Sequence, residues 1–130
     1  MTLNQMSKTI HNDNFNKGFY DDYVQCKVTT DYFIMKQLLL IISEITEAVE
    51  ILRKEDIDFN LEPRIPNTLN REEGIKFFED NFKDKFQDEI GDTFIRLFDL
   101  CGFLGINIED WISAKLEYNK SREHKHGKRY

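Results

Sequence analysis

The sequence predicts an all-α protein, a bundle of four or five helices, and three observations carry that reading. Apolar residues recur at helical spacing in several separate stretches; no stretch shows the strict alternation of a strand; cap residues and glycines bracket the periodic segments. The most apolar stretch, Leu38 to Leu52, also carries Glu44, Glu47 and Glu50. A helix that is apolar over most of its circumference is normally buried, and a buried carboxylate needs a cation, a metal or a strip of solvent beside it.

Leu3, Met6, Ile10 and Phe15 place a first helix from Thr2 to about Phe15, with Gly18 near its end. The aromatic-rich turn NKGFYDDY follows. A second helix runs from about Thr30 to Lys54, capped by Thr30 or Asp31 and ending in the charged RKEDID. Pro63, Pro66, Asn60, Asn67 and Asn70 then mark a loop from Asp56 to Gly74, with room for one short helical turn. Helical periodicity resumes at Ile75 and continues through Phe78, Phe82, Phe86, Ile90, Phe94, Leu97 and Leu100, and Gly102 and Gly105 close it. Asn107 caps the last helix, with Glu109 and Asp110 in its first turn, Trp111, Ile112 and Leu116 on its apolar side, and fraying near Gly127.

A chain of 130 residues suits one domain over 1–130. The net charge of -6 and a pI near 5.1 argue against a stable nucleic-acid partner, which would need a basic surface. The charge is uneven, because residues 115–130 hold six Lys or Arg against two acids, leaving an acidic body and a basic C-terminal tail over 120–130. Cys26 and Cys101 lack CxxC spacing and read as reduced thiols. With no leader-like or membrane-length apolar run, the expectation is a cytoplasmic protein with no membrane partner.

Acids three apart occur at Glu44/Glu47, Glu47/Glu50, Glu55/Asp58 and Glu89/Asp92. Chance placement of 24 acids in 130 residues gives roughly four such pairs, so position has to discriminate among them. Glu55/Asp58 lies in a charged, loop-proximal stretch, and Glu50 reads either as a surface residue or as one that supports the neighbouring carboxylates. Glu44/Glu47 and Glu89/Asp92 sit inside the two most apolar helices, each pair on one stripe. Packed antiparallel, these helices would gather four carboxylates, a set that repels itself unless Mg²⁺, or else Mn²⁺, sits among them. The plainer alternative is that the acids face solvent or are neutralised by Lys36, Arg53 and Arg96. Arg96 extends the Glu89/Asp92 stripe, and Lys115, Asn119 and Arg122 form a stripe of their own, an arrangement suited to phosphate or simply to a solvated helix end.

Together, SEITEAVE with Glu44 and Glu47, DEIGDTFIRLFDLCGFLGI with Glu89 and Asp92, and KLEYNKSREHKHGKRY resemble the MazG-like all-α nucleoside triphosphate pyrophosphohydrolases. That family is related to dimeric dUTPases and to phosphoribosyl-ATP pyrophosphohydrolase. IHNDNFNKGFYDD resembles an N-terminal segment of phage-type and bacterial members. The resemblance implies hydrolysis of an NTP or dNTP to the monophosphate and pyrophosphate, in nucleotide-pool house-cleaning. Glu44, Glu47, Glu89 and Asp92 would hold Mg²⁺ or Mn²⁺, which helps lower the pKa of an attacking water, and Glu47 is the candidate for orienting that water. Arg96, Lys115, Asn119 and Arg122 would bind phosphate, and Phe15, Phe19 and Tyr20 are candidates for the base. It also implies a homodimer or homotetramer that completes the bundle, in keeping with the wide apolar arc of the second helix. The interval between Glu47 and Glu89 exceeds the family's usual length, which makes 56–80 an insertion, either a cap or surface decoration.

A di-iron bundle would need an ExxH pair on each of two helices, and the one match is Glu123 with His126 in the tail, where His124 also lies. The remaining alternative is a non-catalytic helical module of the same fold that binds a nucleotide or a protein.

Overall fold

The computed structural model describes residues 1–60 and 64–122, and among them the chain is all-helical, with six helices and no strand. The helices are α1 (Leu3–Asn16), α2 (Asp21–Val24), α3 (Thr30–Lys54), α4 (Arg71–Asn81), α5 (Phe86–Leu104) and α6 (Ile108–Lys120). Pro63, Gly127, His124, His126 and the tail from 123 onward lie outside the described residues. Among the described residues no helix is long and apolar enough to cross a membrane.

Three boundaries differ from the sequence expectation, each for a local reason. The helix expected to resume at Ile75 begins at Arg71, because Asn70 and Glu73 form a reciprocal capping box: Asn70 Oδ1 accepts from the Glu73 N–H and Glu73 Oε2 from the Asn70 N–H, both at 3.0 Å. That helix is also not continuous to Leu100. It ends at Asn81, Asp84 takes a left-handed conformation at φ 60°, and the Asp84 N–H donates to Asp88 Oδ2 at 2.8 Å as α5 begins. Aspartate tolerates that conformation better than most residues. Phe78, Phe82 and Phe86 keep their apolar spacing across the break, so periodicity alone hides it. The cap of α3 is Thr29, one residue before the expected pair, with Oγ1 accepting from the Tyr32 N–H. The expected caps Thr2 and Asn107 both accept from their helices.

The chain divides into two compact units, one of Met1–Lys27 with Phe98–Tyr130 and one of Val28–Leu97. In the first, α1 lies against the last turns of α5. Gly102 permits that approach, since a Cβ there would stand 2.7 Å from His11 Cβ and 2.9 Å from the Ser7 carbonyl oxygen. Ser7 Oγ donates to the Phe98 carbonyl, and Asn4 Oδ1 accepts from the Ile108 N–H, tying α1 to the start of α6. The buried centre of this unit is Asp99. It accepts from Tyr20 Oη at 2.6 Å and Asn14 Nδ2 at 2.8 Å, and His11 Nδ1 lies 3.0 Å away. Burial, then the hydrogen bond and charge of Asp99, push the Tyr20 hydroxyl well above its ordinary pKa, so it remains a donor.

The second unit holds α3, α4 and the first turns of α5. Only a narrow stripe of α3 is buried: Phe33, Ile41, Glu44 and Ala48. Ile34, Leu40 and Ile51 are half-buried and its other large apolar side chains are exposed, so within this chain the helix is covered mainly on one side.

Candidate metal centre

Glu44 lies on the buried stripe of α3, one turn before Ala48, and Glu47 follows at the edge of that stripe. Glu89 faces them from the first turn of α5. One carboxylate oxygen from each of Glu44, Glu47 and Glu89 lies within 4.8 Å of the other two. Glu44 and Glu89 are buried at 8% and 6% exposure, whereas Glu47 is exposed. Of the four carboxylates expected to gather, these three lie together.

Arg96, two turns beyond Glu89 on α5, donates from Nε to Glu44 Oε1. One guanidinium then balances three carboxylates. Among the described residues the Glu89 side chain has no hydrogen-bond or ion-pair partner. Burial first, then the charges of Glu47, Glu44, Asp88 and Asp92, push its pKa up from 4.5 to about 7.

Asp92 is half-buried and one turn from Glu89, and it does not belong to the group of three. Burial, then Asp88 and Glu44, push its pKa up, while Arg96 draws it down. Glu50 is paired with Arg53 and Lys54 at the surface. Lys115, Asn119 and Arg122 belong to the first unit, on or just beyond α6, where the Lys115 ammonium and the Arg122 guanidinium both lie over the Tyr118 ring, at 4.6 and 5.6 Å. Of the three aromatics considered for a base, Phe15 and Phe19 are exposed. Tyr20 is 2% exposed, its ring against His11 and Phe103, and offers no free face.

Sequence reasoning missed Asp84 and Asp88, which form a second acidic group with Glu89. Their signal was the Asp four residues before DEIGD, obscured by the assumption of one continuous helix. It also missed the hydrogen-bonded cluster around Asp99, because His11, Asn14 and Tyr20 are some eighty or more residues away from it.

Glu44, Glu47 and Glu89 suit one hard divalent cation: all donors are oxygen, two are buried, and one carboxyl lacks any counter-charge of its own. No His or Cys belongs to the group, which disfavours zinc. No family model, curated protein or solved structure matches the chain.

Proposed function

We propose that the protein is a Mg²⁺-dependent nucleoside triphosphate pyrophosphohydrolase, with Mn²⁺ as an alternative cation, that cleaves an NTP or dNTP to the monophosphate and pyrophosphate. The observation that carries this reading is Glu89, a buried residue whose carboxyl has no cation of its own, beside Glu44 and Glu47. A purely structural role gains nothing from three carboxylates around one guanidinium, because burial and repulsion both oppose ionisation. The resemblance of SEITEAVE and DEIGD to the MazG-like motifs supplies the reaction.

Glu44, Glu47 and Glu89 would hold the cation, with Asp92 one turn away and Arg96 fixing the Glu44 carboxylate. Bound there, it would supply Lewis-acid neutralisation of the phosphate charge. Glu47, the exposed member, is open to solvent and would orient a water as general base. Phosphate binding by Lys115, Asn119 and Arg122 is carried by the motif and by the charge of the two cations.

A homo-oligomer belongs to the same proposal. Met35, Leu38, Ile42, Ile45, Val49 and Leu52 are all exposed and follow one another at alternating intervals of three and four. That is the a/d spacing of a coiled-coil seam, with Met, Ile and Val at one position and Leu, Ile and Leu at the other. A second copy of α3 would cover it.

The test is pyrophosphate release from a panel of canonical and modified NTPs and dNTPs with Mg²⁺, Mn²⁺ or EDTA. Metal-dependent release that Glu44→Gln abolishes, in a protein still helical by circular dichroism, is the expected result. Silence across the panel would refute catalysis and leave a nucleotide- or protein-binding module.

A further inference from the structure

The second unit contains a cleft of about 1060 Å³ between α4 and α5 that the carboxylate centre does not explain. Ile75 and Phe78 line it from α4, Phe82 from the end of that helix, and Ile95 from α5. Asp88 and Asp92, on either side of Glu89 in sequence, line it as well, so the cleft continues into the acidic region. Its volume is at or above the upper end of the roughly 300–1,000 Å³ typical of small-molecule pockets.

Two glycines line it. Gly74 lies within α4 and Gly91 within α5, and both line the cleft. Glycine inside a helix costs about 1 kcal/mol relative to alanine, and neither position has the positive φ that would demand it. Packing does not demand it either: a Cβ at Gly74 or Gly91 would meet no heavy atom within 4 Å, in contrast to the crowded Gly102. Both walls therefore carry a glycine with open space beside it, and a larger side chain at either position would take up room next to the cleft.

The lining narrows the occupant. Phe78 and Phe82 offer apolar faces suited to a flat ring, while Arg71 and Gln87 add hydrogen-bonding groups. A lipid chain or an apolar helix filling the cleft would bury four acids, Glu79, Asp84, Asp88 and Asp92, against two cations, Arg71 and Lys83. A flat, partly polar group attached to a chain of phosphates would leave the acids to the cation that the phosphates share. We propose that this cleft is the nucleobase pocket, with Phe78 and Phe82 as the stacking surface in place of Phe15, Phe19 and Tyr20. This rests on the triphosphate reading of Glu44, Glu47 and Glu89.

The experiment measures equilibrium binding to the full chain in Mg²⁺. The probes are α,β-imido triphosphates of adenosine, guanosine, cytidine and uridine, with inorganic tripolyphosphate as the probe without a base. Mn²⁺ binding is followed separately by electron paramagnetic resonance. The wild type is expected to bind at least one nucleotide tenfold or more tightly than tripolyphosphate. Gly74→Leu and Gly91→Leu, which fill the cleft from opposite walls, are expected to abolish that preference and to leave Mn²⁺ and tripolyphosphate affinities within about twofold. Normal Mn²⁺ and tripolyphosphate binding with no preference for a base, or a preference that survives both substitutions, overturns the pocket alone. Absence of Mn²⁺ and tripolyphosphate binding in the wild type sinks the carboxylate reading and the pocket with it. A change in sedimentation of the ligand-free variants, with nucleotide preference intact, would make the cleft an interface between copies and refute the proposal.

Discussion

Replacing Glu89 by Gln should stabilise the metal-free protein at alkaline pH, the reverse of what removing a buried group usually does. Glu89 ionises near pH 7 in the folded chain instead of 4.5, because it is buried and faces Glu47, Glu44, Asp88 and Asp92. A raised carboxyl pKa favours folding when the group is protonated. The unfolded chain releases its proton above about pH 4.5 and the folded one only above about pH 7, so stability falls across that interval. Fully expressed, the loss is about 3 kcal/mol, and screening at the exposed Glu47 reduces the expected effect to about 2 kcal/mol. Urea unfolding in EDTA should therefore show Glu89→Gln more stable than wild type at pH 8 and nearly equal to it at pH 4. Mg²⁺ should narrow the gap at pH 8 by binding the wild type. A variant less stable than wild type at pH 8 would show that Glu89 has a counter-charge and that the account of the centre is wrong.

Three other outcomes follow from named contacts. Tyr20→Phe removes a buried donor from Asp99 and should cost about 1–3 kcal/mol by urea unfolding, with Mn²⁺ binding unchanged. Gly102→Ala places a Cβ against His11 and the Ser7 carbonyl and should cost about 1–3 kcal/mol; a neutral result would mean that α1 moves away freely. Ile42→Lys puts a charge in the middle of the exposed α3 seam and should convert an oligomer to monomer in sedimentation velocity while helicity is retained. If the wild type already sediments as a monomer, the seam has another use.

The helical class, the α1 and α6 caps and the shared stripe of Glu44 and Glu47 were legible because each depends on residues close in sequence. Thr2 and Asn107 bond within one turn, and Glu44/Glu47 share a stripe by helical geometry alone. The break before α5 was less legible, because Phe78, Phe82 and Phe86 carry the apolar period through a backbone that leaves the helix after Asn81 and turns left-handed at Asp84. The capping box that starts α4 was present as N-R-E-E and was outweighed by the prolines before it. What α3 buries was illegible in principle, since an apolar helix does not announce whether its own chain or another copy covers it.

Two buried acids on α5 show where sequence and structure divide the work. Glu89 and Asp99 are each 6% exposed, ten residues apart in the same apolar helix. Read as letters they are equivalent, and either could be the residue that needs a cation. Asp99 receives donors from Tyr20 and Asn14 and stands against His11, so the fold itself satisfies it and no ligand is called for. Glu89 meets only other carboxylates. The same burial makes Asp99 a fastening between α1 and α5 and leaves Glu89 without a cation of its own, and the partners, contributed by distant segments, decide which is which.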